Sequence, residues 1–335
     1  MRWAPLGVFV FCLVSSSQEV RNADNAGPYV EPPRTLHPSA RVVFQVPMFR
    51  SIGRAWCDEA GDIIFDVGSP MSDKGPFLRI SADGRSHVSY SLPQEASGFG
   101  NIVSTITPSG VFYVLFENFK DYRLIEFKDD GPVQSVTSLE LPSGVDLQHL
   151  AIADDGALFA SGYRSSRDPL EKPRTGFAAV LSASGKFIRD LSSIAPQISL
   201  KAAQTGPMEG DAVAAEDGRF YVLETKRVLV INKSGEVERE LTFAKPAKDA
   251  NAVQVDYSKG LLSILFHSVT RNSQDHTADV RARVLVINAQ TGETRGDFVF
   301  APETSESMLC FDARNGFALM AVDGVMAAKD LVPLR

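Results

Sequence analysis

The feature that most limits how this chain can fold is a unit of four short predicted strands that recurs along most of its length. The unit is clearest between Asp211 and Phe243, where three turns separate four apolar or alternating segments. Its first turn, Glu216-Asp217-Gly218, ends on a glycine, which accepts the positive φ of a tight hairpin. We therefore interpret this stretch as one antiparallel four-stranded sheet.

The first-turn glycines of successive units give the period of the repeat. They are Gly61, Gly110, Gly156, Gly218, Gly260 and Gly316. A period of roughly fifty residues with four strands in each unit is typical of a β-propeller. No segment has sustained helical periodicity, which argues against an α/β fold.

The two ends of the repeat are complementary. The last unit has only three predicted strands, whereas Arg41–Val46 is a predicted strand with no hairpin partner nearby. We therefore predict an all-β fold over residues 41–335. It is a six-bladed β-propeller of four-stranded antiparallel blades, and its ring is closed by the N-terminal strand completing the last blade.

The N-terminus has the pattern of an export signal. A short basic start precedes the apolar run Ala4–Val14, which is too short to span a membrane, and small residues follow at 15–17. We predict a signal peptide over residues 1–17, a linker or extended arm over 18–40, and a secreted or periplasmic protein. The later sequence has no apolar run long enough for a membrane span. The net charge of −7 without a Lys/Arg cluster argues against a nucleic-acid partner.

Two cysteines remain after the predicted signal peptide, in which Cys12 lies. Cys57 and Cys310 fall in the innermost predicted strands of the first and last blades, which are neighbours across the closure, so a disulfide is conceivable. A disulfide needs Cα atoms within about 7 Å, however, while packed sheets stand about 10 Å apart. We therefore favour two buried free thiols.

Several segments resemble a known group of propellers. AIADDGALFASG, AVAAEDGRFYVLE and RVLVINKSGEVEREL are similar to NHL-type six-bladed propeller repeats, in a superfamily that includes gluconolactonase and senescence-marker lactonases. The resemblance covers most of residues 41–335 and implies the fold. In the lactonase relatives a ring of polar residues binds a metal that polarises a carbonyl and activates water.

The connections differ between the two faces of such a propeller. The turns joining first to second and third to fourth strands are short, and we call their side the turn face. The other side, the loop face, carries the longer segments Val67–Pro76, Gly162–Gly176, Ala195–Gly210 and His267–Arg281. Because long loops on a rigid scaffold are where binding usually concentrates, we expect a binding surface on the loop face.

Each innermost strand is preceded by a polar residue where it enters the central channel. These candidate ligand-binding residues are Arg54, Asn101, His149, Asp211, Asn251 and Ser307, with Glu306 beside the last. Of these, His149, Asp211 and Asn251 could hold a divalent cation such as calcium, although the charge of Arg54 opposes one. A His149–Asp211 acid–base pair is another possibility, and solvated polar residues in ordinary hydrogen bonds are the simpler interpretation.

Two functions therefore stay open. The first is an exported binding or scaffolding propeller that holds a protein, peptide or glycan on its loop face. The second is a metal-dependent lactonase or esterase-like hydrolase with its site at the channel mouth, acting on a small molecule. No nucleophile elbow, P-loop or dinucleotide fingerprint occurs with the right flanks, and no cofactor beyond the possible cation is indicated. We expect a monomer.

Overall fold

The structure of the protein is a computed structural model, and it describes residues 33–36, 42–44, 51–68, 77–93, 102–118, 121–164, 175–193, 211–247, 250–271, 278–301, 308–314, 316–321 and 324–328. The regular elements of these residues are β-strands, numbered β1 to β25 in chain order. Across the same residues, no helix has the length and apolar character needed to cross a membrane.

The described strands form six sheets, and each contains four antiparallel strands. Sheet 1 contains β3 (Ser51–Cys57), β4 (Ile63–Gly68), β5 (Phe77–Ile80) and β6 (His87–Tyr90). Sheet 2 contains β7 (Ile102–Ile106), β8 (Phe112–Asn118), β9 (Asp121–Phe127) and β10 (Val133–Leu139). Sheet 3 contains β11 (Val145–Ile152), β12 (Leu158–Arg164), β13 (Thr175–Leu181) and β14 (Phe187–Asp190).

The remaining three sheets follow the same order along the chain. Sheet 4 contains β15 (Ala212–Ala214), β16 (Phe220–Leu223), β17 (Arg227–Ile231) and β18 (Val237–Thr242). Sheet 5 contains β19 (Asn251–Ser258), β20 (Leu261–Arg271), β21 (Ala278–Asn288), β22 (Thr294–Phe300) and a fifth strand, β1 (Arg34–Leu36). Sheet 6 contains β23 (Met308–Asp312), β24 (Gly316–Ala321), β25 (Gly324–Ala328) and β2 (Val42–Phe44).

The first turn of each sheet reverses the chain tightly, as the glycine pattern predicts. In sheet 1 the N–H of Gly61 donates to the carbonyl of Asp58 at 3.0 Å, and Gly61 has a φ of 82°. The Asp58 carboxylate accepts the N–H groups of Ala60 and Asp62, each at 2.9 Å. The short side chain of Asp and the conformational freedom of Gly therefore fix this turn together.

The innermost strands surround a central channel. β3, β7, β11, β15, β19 and β23 contact one another in that order, and β23 contacts β3 again. The hydrophobic core lies between neighbouring sheets, where Phe112 of β8 packs against Phe77 and Tyr90 of sheet 1 with ring centroids 5.2 and 5.0 Å apart. The protein is thus an all-β propeller with antiparallel four-stranded blades.

Both N-terminal strands add to the outer edges of sheets. β2 pairs antiparallel with β25, placing Val42 opposite Met326, as the complementary ends of the repeat predict. β1, inside the segment predicted to be a linker or arm, pairs parallel with β22 and buries Leu36. Covering an edge strand in this way removes exposed backbone groups that could pair with another chain.

The prediction of two free thiols is wrong, because Cys57 and Cys310 form a disulfide. Their Cα atoms are 5.5 Å apart, and Cys310 is 1% exposed. The spacing of about 10 Å applies to the broad faces of stacked sheets. Blades diverge outward from the channel, so their innermost strands, β3 and β23, lie closer together than the sheets do on average.

Candidate functional site

Arg54 projects from β3 into the central channel and reaches two sheets on its far side. One of its guanidinium nitrogens, Nη1, forms an ion pair with Asp211 at the start of sheet 4. The other, Nη2, donates to the carbonyl of Val255 at 2.8 Å and lies 3.4 Å from Oδ1 of Asp256 in sheet 5. A single cation therefore links three blades through the channel.

Asp211 is the most enclosed member of this group. Its carboxylate is 2% exposed, accepts the N–H of Val255 at 2.7 Å, and lies 3.4 Å from Nδ1 of His149. Burial alone would raise its pKa, but the Arg54 guanidinium and the His149 hydrogen bond outweigh that effect and hold the pKa of Asp211 below its ordinary value. Asp211 is therefore the charged partner of Arg54 at neutral pH.

Asp256 is a second buried carboxyl beside the same guanidinium. Its Oδ2 accepts hydrogen bonds from Nε2 of Gln254 at 2.9 Å and from Oγ of Ser263 at 3.5 Å. Burial raises the pKa of Asp256 to about 7, because its removal from water outweighs the attraction of Arg54. The two carboxyls beside Arg54 therefore differ in protonation at neutral pH. Asp211 is ionised, whereas Asp256 is close to the midpoint of its titration. We call Arg54, His149, Asp211 and Asp256 the channel cluster.

The indole of Trp56 holds Arg54 in place from the other side. The Arg54 guanidinium carbon lies 4.1 Å from the ring centroid, a cation–π distance, and Nε1 of Trp56 lies 3.3 Å from Oγ of Ser104 in sheet 2. Stacking on Trp56 and ion pairing with Asp211 together restrict the position of the Arg54 guanidinium.

The structure brings together three of the seven predicted site residues, namely Arg54, His149 and Asp211. Asn251 is the first residue of β19, four residues before Val255, which places it about 13 Å farther along the strand toward the loop face. The other three, Asn101, Glu306 and Ser307, lie outside the described residues. Within the described part of the chain, no group of three or more His, Cys, Asp or Glu side chains is arranged to hold a metal ion.

Asp256 was missed because the first turns differ in length. In sheet 1 five residues separate the paired residues Cys57 and Ile63, whereas in sheet 5 only Lys259 and Gly260 separate Ser258 from Leu261. Alignment on the turn glycines therefore displaces sheet 5. The position along the channel is found correctly by counting three residues back from the last residue of the innermost strand that pairs with the second strand. This count gives Arg54, His149, Asp211 and Val255, and Asp256 follows Val255 directly.

The raised pKa of Asp256 predicts a specific pH dependence of stability. An unfolded aspartate titrates near 3.8, so between about pH 4 and 7 the folded state holds a proton that the unfolded state lacks. This group's contribution to stability therefore falls as pH rises, by about 1.4 kcal/mol for each pH unit. Asp256→Asn lacks this titrating group. Its free energy of unfolding relative to that of the wild type should therefore rise by about 1.4 kcal/mol for each pH unit between pH 5 and pH 7, as measured by urea titration.

Asp130→Asn is the matched control, because Asp130 is an exposed aspartate in a turn of sheet 2. Its unfolding free energy should keep a constant offset from the wild type over the same range. A constant offset for Asp256→Asn as well would show that Asp256 does not hold its proton near neutral pH.

A pocket opens at the turn-face end of the channel. It is a small cavity of about 50 Å³, lined by the ends of β3, β7, β15, β19 and β23 and the turns that follow four of them. Asp256 of the channel cluster and Trp56 line it as well. None of the rim residues was predicted as a site residue, because the long segments of the sequence lie on the opposite face. These rim residues are Glu59, Glu216, Tyr257 and Lys259.

On the loop face, one hairpin is longer than its neighbours. β20 and β21 pair as far as Arg271 and Ala278, whereas β19 begins at Asn251, opposite His267. Residues 268–271 and 278–281 therefore form a two-stranded ribbon beyond the innermost strand of sheet 5. The other predicted long segments lie largely outside the described residues.

No known family model matches the chain, and no curated protein matches it. Among solved structures, a gluconolactonase from Xanthomonas campestris shares 13% identity at a TM-score of 0.47, over 89% of this chain and 99% of that one. A putative gluconolactonase shares 15% identity at a TM-score of 0.49, over 87% and 93%. YCF48 bound to D1 peptide shares 10% identity at a TM-score of 0.40, over 89% and 99%. At these levels none of the similarities indicates what this chain does.

Proposed function

We propose that this protein is an exported binding propeller that holds a protein, peptide or glycan on its loop face. The observation that supports this most is the position of Arg54 within the channel cluster. Its guanidinium occupies the space between Asp211 and Asp256, so the buried carboxylates that could serve a cation are already matched by a cation of the protein itself. The described part of the channel thus resembles a structural ion-pair network more than a hydrolytic centre.

The ribbon of β20 and β21 indicates where a partner would bind. An isolated two-stranded ribbon is only marginally stable in water, so these backbone groups gain by packing against another molecule. The ribbon stands on a rigid sheet, which is the usual arrangement of a binding loop on a scaffold.

The test is to shorten the ribbon without disturbing the blade. Ser268 and Arg281 face each other in register, so residues 269–280 can be replaced by Asn-Gly, the preferred two-residue hairpin turn. The wild type is first screened against a panel of peptides and glycans to find those that it binds. We expect the shortened protein to have the melting temperature of the wild type but to bind none of these ligands. Lys233→Met, a change on the turn face, should leave that binding intact. Retention of all ligands by the shortened protein would contradict the proposal.

Elemental analysis separates this proposal from the hydrolase hypothesis. We expect the purified protein to contain no stoichiometric calcium or zinc and to melt at the same temperature with added calcium or with chelator. A stoichiometric metal whose removal lowers the melting temperature would favour a metal-dependent lactonase, with His149 and Asp211 as the first residues to substitute.

The remaining parts of the proposal concern architecture and location. We propose that the six sheets are the six blades of one closed ring, which the cyclic contacts of the innermost strands support. We also propose export to the periplasm or the exterior as a monomer. The Cys57–Cys310 disulfide supports export, since disulfides persist mainly in oxidising compartments.

A further inference from the structure

Sheet 5 differs from the other described sheets in having a fifth strand on its outer edge. Its four antiparallel strands, β19 to β22, already make a complete blade, and β1 adds to them in parallel. The strand β2 has a different place, because it supplies the fourth strand that sheet 6 otherwise lacks among the described residues. Sheet 5 therefore does not need β1 in the way that sheet 6 needs β2.

The strand β1 shows how an extended segment binds at this edge. The carbonyl of Leu36 accepts the N–H of Ala301 at 3.0 Å, so a backbone hydrogen bond joins β1 to the residue that follows β22. Leu36 is 1% exposed and belongs to an apolar cluster between sheets 5 and 6, which includes Phe298. Arg34 and Thr35 are exposed. The edge thus holds an extended segment through its backbone and one leucine side chain, as in other cases of strand addition.

The pairing of β1 covers less than half of this edge. It involves Phe298, Val299 and Phe300, which are three of the seven residues of β22. No other described strand pairs with the outer side of β22, so among the described residues positions 294–297 have no strand partner on that side. An uncovered strand edge offers its N–H and C=O groups to another extended chain.

The sequence before β1 limits how far its pairing can extend. Alternate residues of an extended strand face the same neighbour, and the Leu36 carbonyl faces β22. Toward the N-terminus, the next residues to face β22 would be Arg34 and then Pro32. Proline has no backbone N–H to donate, so β1 cannot extend its hydrogen-bonded ladder along β22, whereas a segment without proline can.

We propose that the outer edge of sheet 5 is a docking site for an extended, proline-free segment of another protein. The segment pairs parallel with β22 and inserts a leucine where Leu36 now lies. It displaces β1, which is the weaker occupant because its pairing is short. This surface is the outer edge of a blade and not the loop face, so the inference does not rest on the proposed function.

The test uses a synthetic peptide with the sequence of residues 30–37 that carries Pro32→Thr and Pro33→Thr. This probe is labelled with fluorescein, and fluorescence anisotropy measures its binding to the full chain. In the wild type the probe must compete with β1. Leu36→Ser in the protein removes the side chain that holds β1 in place. We expect the probe to bind this variant at least about tenfold more tightly, the factor that corresponds to burying one leucine side chain.

Three further changes show whether the probe binds in the proposed way. Thr35→Ser in the protein is the matched control at an exposed position of β1, and it should leave the affinity at the wild-type value. A probe that also carries Leu36→Asp should lose most of its binding to the Leu36→Ser protein, because its charge would enter an apolar cluster. Val299→Pro, added to Leu36→Ser, should abolish binding, since the N–H of Val299 faces the same side as that of Ala301.

Several results would overturn the inference. One is the same probe affinity, or no binding, for the wild type and Leu36→Ser at an unchanged melting temperature. Another is equal binding of the probe with and without Leu36→Asp. Binding that survives Val299→Pro would also contradict it, because the probe would then lie elsewhere.

The shortened-ribbon protein separates this site from the loop face. When it carries Leu36→Ser, it should bind the probe as tightly as Leu36→Ser alone does. Loss of binding in this protein would place the probe on the loop face and contradict the inference.

Discussion

Replacing both Cys57 and Cys310 by alanine will lower the free energy of unfolding by up to about 5 kcal/mol, as measured by urea titration. The two residues are 253 positions apart, so their disulfide closes a loop that includes most of the chain. In the chain-entropy model, a longer loop removes more freedom from the unfolded state, and a loop of this length lies at the upper end of the effect. The loss should appear as a lower urea midpoint.

Alkylation provides the chemical check of the same prediction. Under denaturing, non-reducing conditions, protein lacking residues 1–17 should take up no label, and after reduction it should take up two. A reductant should lower the melting temperature of the wild type and leave the double alanine variant unchanged. Two labels before reduction would show that the thiols are free after all.

Arg54→Met should cost about 3–5 kcal/mol of unfolding free energy at pH 7. The substitution keeps an unbranched chain beside Trp56 but removes the cation that Asp211 requires. Asp211 is 2% exposed, and leaving one member of a buried ion pair without its partner carries a cost of this size. Urea titrations at pH 7 measure the loss directly.

A second substitution distinguishes lost charge from lost packing. Adding Asp211→Asn to Arg54→Met removes the unpaired charge, so the double variant should recover at least half of the loss. Arg219→Met is the surface control. Arg219 pairs with Asp217 and Glu238 outside the core, and its loss should cost less than about 1 kcal/mol. Equal losses in Arg54→Met and Arg219→Met would show that the channel cluster is not a stabilising network.

The strands were predictable because their signals are local. In sheet 4, apolar segments bounded by Glu216–Gly218 and Lys233–Gly235 correspond to β15–β18 within one or two residues. Period-two alternation and turn glycines are properties of neighbouring residues, so one sequence suffices to read them. The pairing of β2 with β25 was also predictable. The sequence has one N-terminal strand without a hairpin partner, and its last blade has only three strands of its own.

Features that depend on distant parts of the chain were not predictable in the same way. β1 has three residues and pairs in parallel with β22, so no hairpin pattern marks it. Asp256 was not predicted because the turn at Lys259 and Gly260 is shorter than the first turn of sheet 1. The residues of β19 are therefore fewer positions away from the turn glycine than those of β3. The disulfide depends on how closely two innermost strands approach, which is a property of the assembled ring.

The placement of β2 has a consequence for the order in which the molecule assembles. Val42 is synthesised 284 residues before its partner Met326. Sheet 6 therefore cannot be completed until residue 326 has been synthesised and translocated. The early segment must stay unpaired until the C-terminal hairpin emerges, and the Cys57–Cys310 bond must wait for the same moment. Such distant pairings make folding slow, and they leave the open ends of the ring exposed to incorrect partners until the last strands arrive.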